Sequence, residues 1–391
     1  MTVEKFDFYQ PTRIHFGAGT LNELGTVVKK YGNSCLLVTT SNNEKVLQPL
    51  YDRIKTLLGE QGIEVYHFDE VVPNPTIGCI EKGIEIVNEH NIPVVLAVGG
   101  GSSIDTAKSI ALFYKAGQVD WQQVFGEYTS PFTEYEPISD PTLPVIAVPT
   151  TAGTGSELTQ AMVISDPDNA QKMCIFHDKV FPRETVIDPE VMKTLPPYMT
   201  AATGFDAFSH AFESYMRESS SPYTRLVGLK AMELIIGTLP KLLASPNDIE
   251  LREKMALAAM FAGISLGNAA ASMPHPLSEI IGGVTPRIAH GQCLATIYPR
   301  YITFEVESQP DKCADIARLF DPSLCNVDEK QAANSLEKLL VEFLEKIGLN
   351  KTLKDLGVTL DEMEQITSNF LFDVLPFAPK DVLVGIIKES Y

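Results

Sequence analysis

Apolar positions in the first half of the chain alternate between two periods. From Thr20 to Tyr31, the residues Leu21, Leu24, Val27 and Val28 return every three or four positions, which predicts one buried helix face. Cys35 to Thr39, C-L-L-V-T, is an unbroken apolar run, as a buried strand requires. The alternation continues with a helix over 44–58, a strand over 63–68, a helix over 77–89 and a strand over 94–98. A helix over 103–114 and a strand over 144–148 complete it. Strands and helices in this order predict a mostly parallel sheet with helices on both faces. Ahead of them, F-D-F-Y-Q-P-T-R-I-H-F-G-A-G alternates and then turns at glycines, predicting a strand pair or edge hairpin. The pattern changes at Asp188–Pro189. Beyond it, segments such as L-R-E-K-M-A-L-A-A-M-F-A-G-I and A-A-N-S-L-E-K-L-L-V-E-F-L-E-K carry only helical periodicity. The expectation is an α/β domain over 1–188 and an all-α domain over 189–391, facing one another across a ligand cleft.

Composition narrows the function. A chain of 391 residues is long for a single core, in keeping with two domains. A net charge of −19 argues against nucleic acid or an anionic membrane as partner. No run reaches the length of a membrane span, and the start M-T-V-E-K-F-D-F has no apolar core of a signal peptide. Six scattered cysteines without a Cys-x-x-Cys pair predict reduced thiols in a cytoplasmic protein.

Three stretches carry chemistry. Gly99-Gly100-Gly101-Ser102 follows the strand V-V-L-A-V and opens a helix. Glycines let backbone N–H groups approach an anion, and a helix N-terminus favours negative charge. The same residues also suit a tight turn with Ser102 as N-cap and Asp105 in the first helical turn. Pro149-Thr150-Thr151-Ala152-Gly153-Thr154-Gly155-Ser156-Glu157 places hydroxyl and amide donors at a strand's carboxyl end, where open α/β sheets bind ligands. Finally, Asp206 and His210 stand four residues apart, one helical turn, and His275 and His290 follow. One carboxylate with three imidazoles suits a divalent ion such as Fe(II), Zn(II) or Mn(II); a solvated helix face and turn residues are the plainer reading.

These motifs occur in one order: G-G-G-S-S-I-D-T-A-K, P-T-T-A-G-T-G-S-E, Asp188–Pro189 and the Asp206/His210/His275/His290 set. In this the whole chain resembles the iron-containing (group III) alcohol dehydrogenases. The resemblance implies a Rossmann-like N-terminal domain that binds NAD(P)(H) and a helical domain that holds the metal. It implies that Gly99, Gly100, Gly101 and Ser102 contact the pyrophosphate and that Thr150, Thr151 and Thr154 line the cofactor site. Lys172 would reach the ribose, and Asp105 would lie near nicotinamide and substrate. Asp206, His210, His275 and His290 match the metal ligands, with Fe2+ expected and Zn2+ or Mn2+ possible. The implied reaction is hydride transfer between nicotinamide C4 and a small alcohol or aldehyde, with the metal on the substrate oxygen. A homodimer or higher homo-oligomer is also implied.

Two positions depart from the family pattern. Glu279 stands where many members have a second histidine four residues after the third ligand, so the expected proton relay runs through a carboxylate. Thr40 stands where NAD-preferring members have an aspartate. With Ser41 and Asn42 it leaves room for a 2′-phosphate, which tips the expectation toward NADP(H). Competing readings keep the architecture: a glycerol-dehydrogenase-like or dehydroquinate-synthase-like enzyme, or a reductase of a phosphonate- or sulfonate-bearing aldehyde using Arg287. A non-enzymatic metal- or nucleotide-binding protein is the third class.

Overall fold

The computed structural model describes residues 5–41, 44–169 and 171–391. The chain forms two compact units. One runs from Tyr9 to Leu195, and the other from Pro196 to Tyr391, joined by the N-terminal segment ending at Phe8.

The first unit is built on a parallel sheet of β1 (Arg13–Phe16), β2 (Ser34–Thr40), β3 (Glu64–Val71), β4 (Val95–Gly99), β5 (Val145–Pro149) and a strand at Glu184–Ile187. A two-stranded antiparallel hairpin lies outside it, β6 (Ala161–Asp166) and β7 (Gln171–Phe176), so the last sheet strand is β8. The sheet order is β1-β8-β5-β4-β2-β3. Its central strands V-L-A-V-G and V-I-A-V-P are buried throughout, the near-continuous apolar run of a strand covered on both faces. The helices α1 (Leu24–Lys29), α2 (Gln48–Glu60), α3 (Ile77–His90), α4 (Gly101–Phe113) and α5 (Trp121–Glu127) accompany it. From β2 the chain winds outward to β3, then returns to β4 and continues to β5 on the other side. That reversal puts a topological switch point between β2 and β4, at whose carboxyl ends stand Thr40 and Gly99.

The expected N-terminal hairpin is not formed. β1 is a lone edge strand, and it pairs in parallel with β8, Arg13 against Glu184. A partner so far along the chain leaves no local signal, so the alternation of residues 6–16 suggests pairing with itself.

The second unit is all helical among the described residues. It comprises α6 (Pro197–Met216), α7 (Pro222–Ala244), α8 (Ile249–Ala269), α9 (Pro274–Val284), α10 (His290–Ser308) and shorter helices up to Lys380–Glu389. Helix α6 is central. It packs on α7, α8 and α10, and is buried from Gly204 to Met216. A helix apolar on nearly every face belongs inside, so polar residues on it are buried with it. No single described helix is long and apolar enough to cross a membrane. All six cysteines are free.

Candidate metal centre and nucleotide cradle

Helix α6 carries Asp206 and His210 into the interior on consecutive turns. The second residue of α9 is His275 and the first residue of α10 is His290, so two helix starts deliver the other imidazoles. The four converge on one carboxylate oxygen. Asp206 Oδ1 lies 3.7 Å from His210 Nε2, 3.5 Å from His275 Nε2 and 3.7 Å from His290 Nε2. Ligands ~2.1 Å from a tetrahedral ion stand about 3.4 Å apart, so the spacing fits a divalent ion. The rings of His210 and His275 stack with centroids 4.4 Å apart. Asp206, His210 and His275 are buried, while the His290 side chain is 29% exposed and marks the open side.

Asp206 Oδ1 and His275 Nε2 are buried without a hydrogen-bond partner. Leaving such atoms unsatisfied costs on the order of 1–3 kcal/mol each. Two of them aimed at one point are what a metal site requires. Burial alone would raise the Asp206 carboxyl, but the surrounding imidazoles, His210 foremost, hold it well below the usual carboxylate range. Burial likewise would lower His275, but Glu213 and then Asp206 push it up to about 10. A divalent ion binding there would have to displace a proton from this imidazole.

The far sides of two rings are also held. Glu213 Oε1 lies 2.7 Å from His275 Nδ1. Ser278 donates to the His275 carbonyl at 2.8 Å, which leaves its oxygen to accept from His290 Nδ1 at 3.2 Å. Both contacts favour the Nδ1–H tautomer and turn Nε2 toward Asp206. Gly291 permits the closeness of the helices: a Cβ there would lie 1.9 Å from the carbonyl oxygen of Ala202, one turn before Asp206. None of Glu213, Ser278 and Gly291 is among the site residues expected from the sequence. Glu213 stands three residues after His210, a spacing that could have flagged it.

In the α/β unit, the glycine run and the threonine loop meet. Thr150 N–H donates to the Gly99 carbonyl at 2.9 Å. A Cβ on Gly100 would lie 3.3 Å from Thr151 Cγ2, and one on Gly101 2.9 Å from Thr154 Cγ2. A side chain at these positions would crowd the loop that faces them. Helix α4 starts at Gly101, and its N-cap is Gly100, not Ser102. No side chain caps it, and its first turn holds no acidic residue. The tight-turn reading with Ser102 as cap is thus replaced by a bare helix N-terminus, which suits a phosphate.

Asp105 lies deeper. Its Oδ1 accepts from Ser156 Oγ at 2.5 Å and its Oδ2 from Val163 N–H at 3.1 Å. Lys108, fully buried, donates to Ser156 Oγ and to the carbonyls of Thr159 and Ala161, each at 2.9 Å. Burial pushes Lys108 down to about 8 and Glu157 up to about 7. This cluster pins the threonine loop and β6 to α4. Lys172 sits on β7 opposite Ser165. Thr40 Oγ1 shares a hydrogen bond with Tyr51 OH at 2.9 Å. Asn42 lies outside the described residues.

On α9, Glu279 is half-buried one turn beyond His275. Arg287 does not offer a free positive charge: its guanidinium grips both Glu362 oxygens at 2.6 and 2.9 Å and the Gly357 carbonyl at 3.0 Å.

The chain is similar to known proteins along its whole length. Residues 11–189 match the family described as iron-containing alcohol dehydrogenase, and residues 200–381 match the C-terminal part of the Fe-containing alcohol dehydrogenase family. Choline dehydrogenase of Bacillus subtilis (strain 168) is 34% identical, with 97% of this chain and 93% of that protein covered. NAD-dependent methanol dehydrogenase of Bacillus methanolicus is 32% identical, with 94% of each covered. Among solved structures, an archaeal halo-thermophilic alcohol dehydrogenase from a Red Sea brine pool superposes with a TM-score of 0.89 at 32% identity, with 100% of both chains covered.

Proposed function

The chain belongs to the iron-containing alcohol dehydrogenase family, and on that premise we propose that it is a divalent-metal-assisted, nicotinamide-dependent dehydrogenase of a small alcohol, or reductase of the matching aldehyde. The observation that carries this reading is the convergence of Asp206, His210, His275 and His290, with Asp206 Oδ1 and His275 Nε2 buried and unpartnered. A divalent ion held there would supply a Lewis acid for the substrate oxygen, and a bound nicotinamide would supply the hydride chemistry.

The chain's own residues do the rest. The four donors would hold the ion, and the more exposed His290 side is where a substrate oxygen would approach it. The bare N-terminus of α4, with Gly99, Gly100, Gly101 and Ser102, binds the pyrophosphate. Thr150, Thr151 and Thr154 wall that cradle, and Lys172 reaches the ribose. Asp105, with both oxygens already engaged, acts by positioning the threonine loop. Glu279, on the same helix face as His275, passes the proton of the substrate hydroxyl to solvent.

The expected preference for NADP(H) gains no support. Thr40 spends its hydroxyl on Tyr51, and one relative is named for NAD. The anionic-aldehyde reading loses its main cation, because Arg287 is neutralised by Glu362. We propose a cytoplasmic homodimer or higher homo-oligomer; size-exclusion chromatography with light scattering checks the assembly.

The deciding experiment is aldehyde-dependent oxidation of NADH and NADPH by metal-depleted protein. Fe(II), Zn(II) or Mn(II) is added back in turn over a broad panel of aldehydes. Metal-dependent, stoichiometric oxidation is expected. Tight metal and nucleotide binding without oxidation of any aldehyde would overturn the reading and favour a lyase of the same architecture.

A further inference from the structure

Glu213 lies three residues beyond His210 on α6 and is wholly buried. A buried carboxylate is retained only where its lone pairs are taken up. Here Oε1 faces His275 Nδ1 at 2.7 Å and accepts from Tyr298 OH at 3.3 Å, while Oε2 accepts from the Ser272 N–H at 2.8 Å. The contacts to Ser272 and His275 serve the same end. Ser272 closes the turn between α8 and α9, where Ala270 has φ of +66°, a conformation that L-residues avoid. The bond to its N–H ties that strained turn to α6, just ahead of His275. The bond from Nδ1 fixes the orientation of the His275 ring itself.

We propose that Glu213 is the positioning residue of the metal centre. It holds the turn before α9 and the Nδ1–H of His275, so that Nε2 stands ready toward a divalent ion beside Asp206. The inference rests on the metal reading above and deepens it. Charge supports it independently. Asp206 and Glu213 bring two negative charges into a buried site whose other donors are imidazoles, which balances an ion of charge two.

The test measures Zn(II) affinity by competition with a chromogenic chelator and the visible spectrum of the Co(II)-loaded protein. It uses the wild type, Glu213→Gln and Glu213→Asp, and records the thermal midpoint of each metal-free form. Expected is a 10- to 100-fold weaker Zn(II) affinity for Glu213→Gln, with an altered Co(II) spectrum. Glu213→Asp, which keeps the charge, should recover part of both and serves alone if the Gln variant does not fold. Wild-type affinity and spectrum in the variants would overturn the proposal. So would weaker affinity that only tracks a lower metal-free midpoint while the spectrum is unaltered, since that marks a structural role. A wild type that binds neither Zn(II) nor Co(II) would sink the metal reading itself, and this proposal with it.

Discussion

Two buried clusters pair carboxylates with nitrogen bases, and they are finished differently. In the α/β unit, Asp105 spends both oxygens and Lys108 all three donors on protein partners. In the helical unit, Asp206 Oδ1 and His275 Nε2 are equally buried but have no partner, and they face one another at 3.5 Å. The residue types alone would rank the first cluster as the more reactive, since it holds a buried lysine beside acids. Satisfaction reverses that ranking. A closed network is a clasp, whereas atoms left open toward one point are a place for something else. Removing a member should therefore cost stability in the first cluster and ligand in the second.

The largest effect belongs to the open cluster. Asp206→Ala should lose divalent metal by more than about 100-fold, beyond the 10–100-fold typical of outer-shell changes. Elemental analysis after gel filtration and Zn(II) titration measure it. Metal at ~100 times its dissociation constant should stabilise the wild type by about 2.7 kcal/mol and leave the variant's melting temperature where it was. Retention of metal by Asp206→Ala would break the comparison.

Lys108→Met probes the clasp. It leaves Asp105 buried without its cation and two carbonyls without their donor, which should cost about 3–5 kcal/mol. Urea unfolding reads this cost, and Zn(II) affinity should not move. Loss of metal affinity here would mean that the clusters are not independent.

The clasp also sets a pH dependence. Burial pushes the Glu157 carboxyl up to about 7, so the folded state holds its proton more tightly than the unfolded chain does. Its contribution to stability is then full below the unfolded pKa and is lost as pH rises through about 7. The loss is roughly 3 kcal/mol over that window. Asp105 and Lys108 face the same carboxyl, and Lys108, pushed down to about 8, stays charged across most of it. Glu157→Gln should shrink the dependence. Urea midpoints at pH 5 and 7.5 should diverge more in the wild type than in the variant.

Gly291→Ala sharpens the open cluster. Its new Cβ would meet the Ala202 carbonyl, so α10 must back away from α6 and carry His290 with it. Overpacking of this kind costs ~1–3 kcal/mol. Unlike Lys108→Met, it should lower both the melting temperature and the Zn(II) affinity.

Much of this was legible in the chain, and the failures share a cause. The parallel sheet announced itself because β2, β4 and β5 are unbroken apolar runs between helical periods. The four candidate donors were legible as residue types because a chain with seven histidines puts three of them, His210, His275 and His290, in the stretch that opens with Asp206. What was missed depends on distant partners. β1 reads as half a hairpin until β8 supplies its pairing, and β8 itself is only four residues, too short for a period. In the hairpin β6–β7, β6 alternates in burial ahead of D-P-D-N but β7 does not, so the pair shows no shared period. Glu213 meets His275 across 62 positions, so no window in the sequence contains both. The helix cap at Gly100 was obscured by Ser102, a better cap by residue type than by position.

The smallest effect separates a charge near the site from a charge that serves it. Arg287 stands three residues before His290, and its proximity in sequence suggested an anionic substrate. Its guanidinium is half-exposed and clasped by Glu362, which makes it a surface ion pair rather than an open donor. Arg287→Ala should therefore cost at most ~1 kcal/mol in stability. KM for a neutral aldehyde should not change, and KM for a sulfonate-bearing aldehyde of the same length should not change either. A selective rise in KM for the sulfonate would mean that Arg287 leaves Glu362 when an anion arrives. The rule drawn from the two clusters would then need a second clause, since a satisfied group can be recruited when the incoming partner binds it better than the resident one.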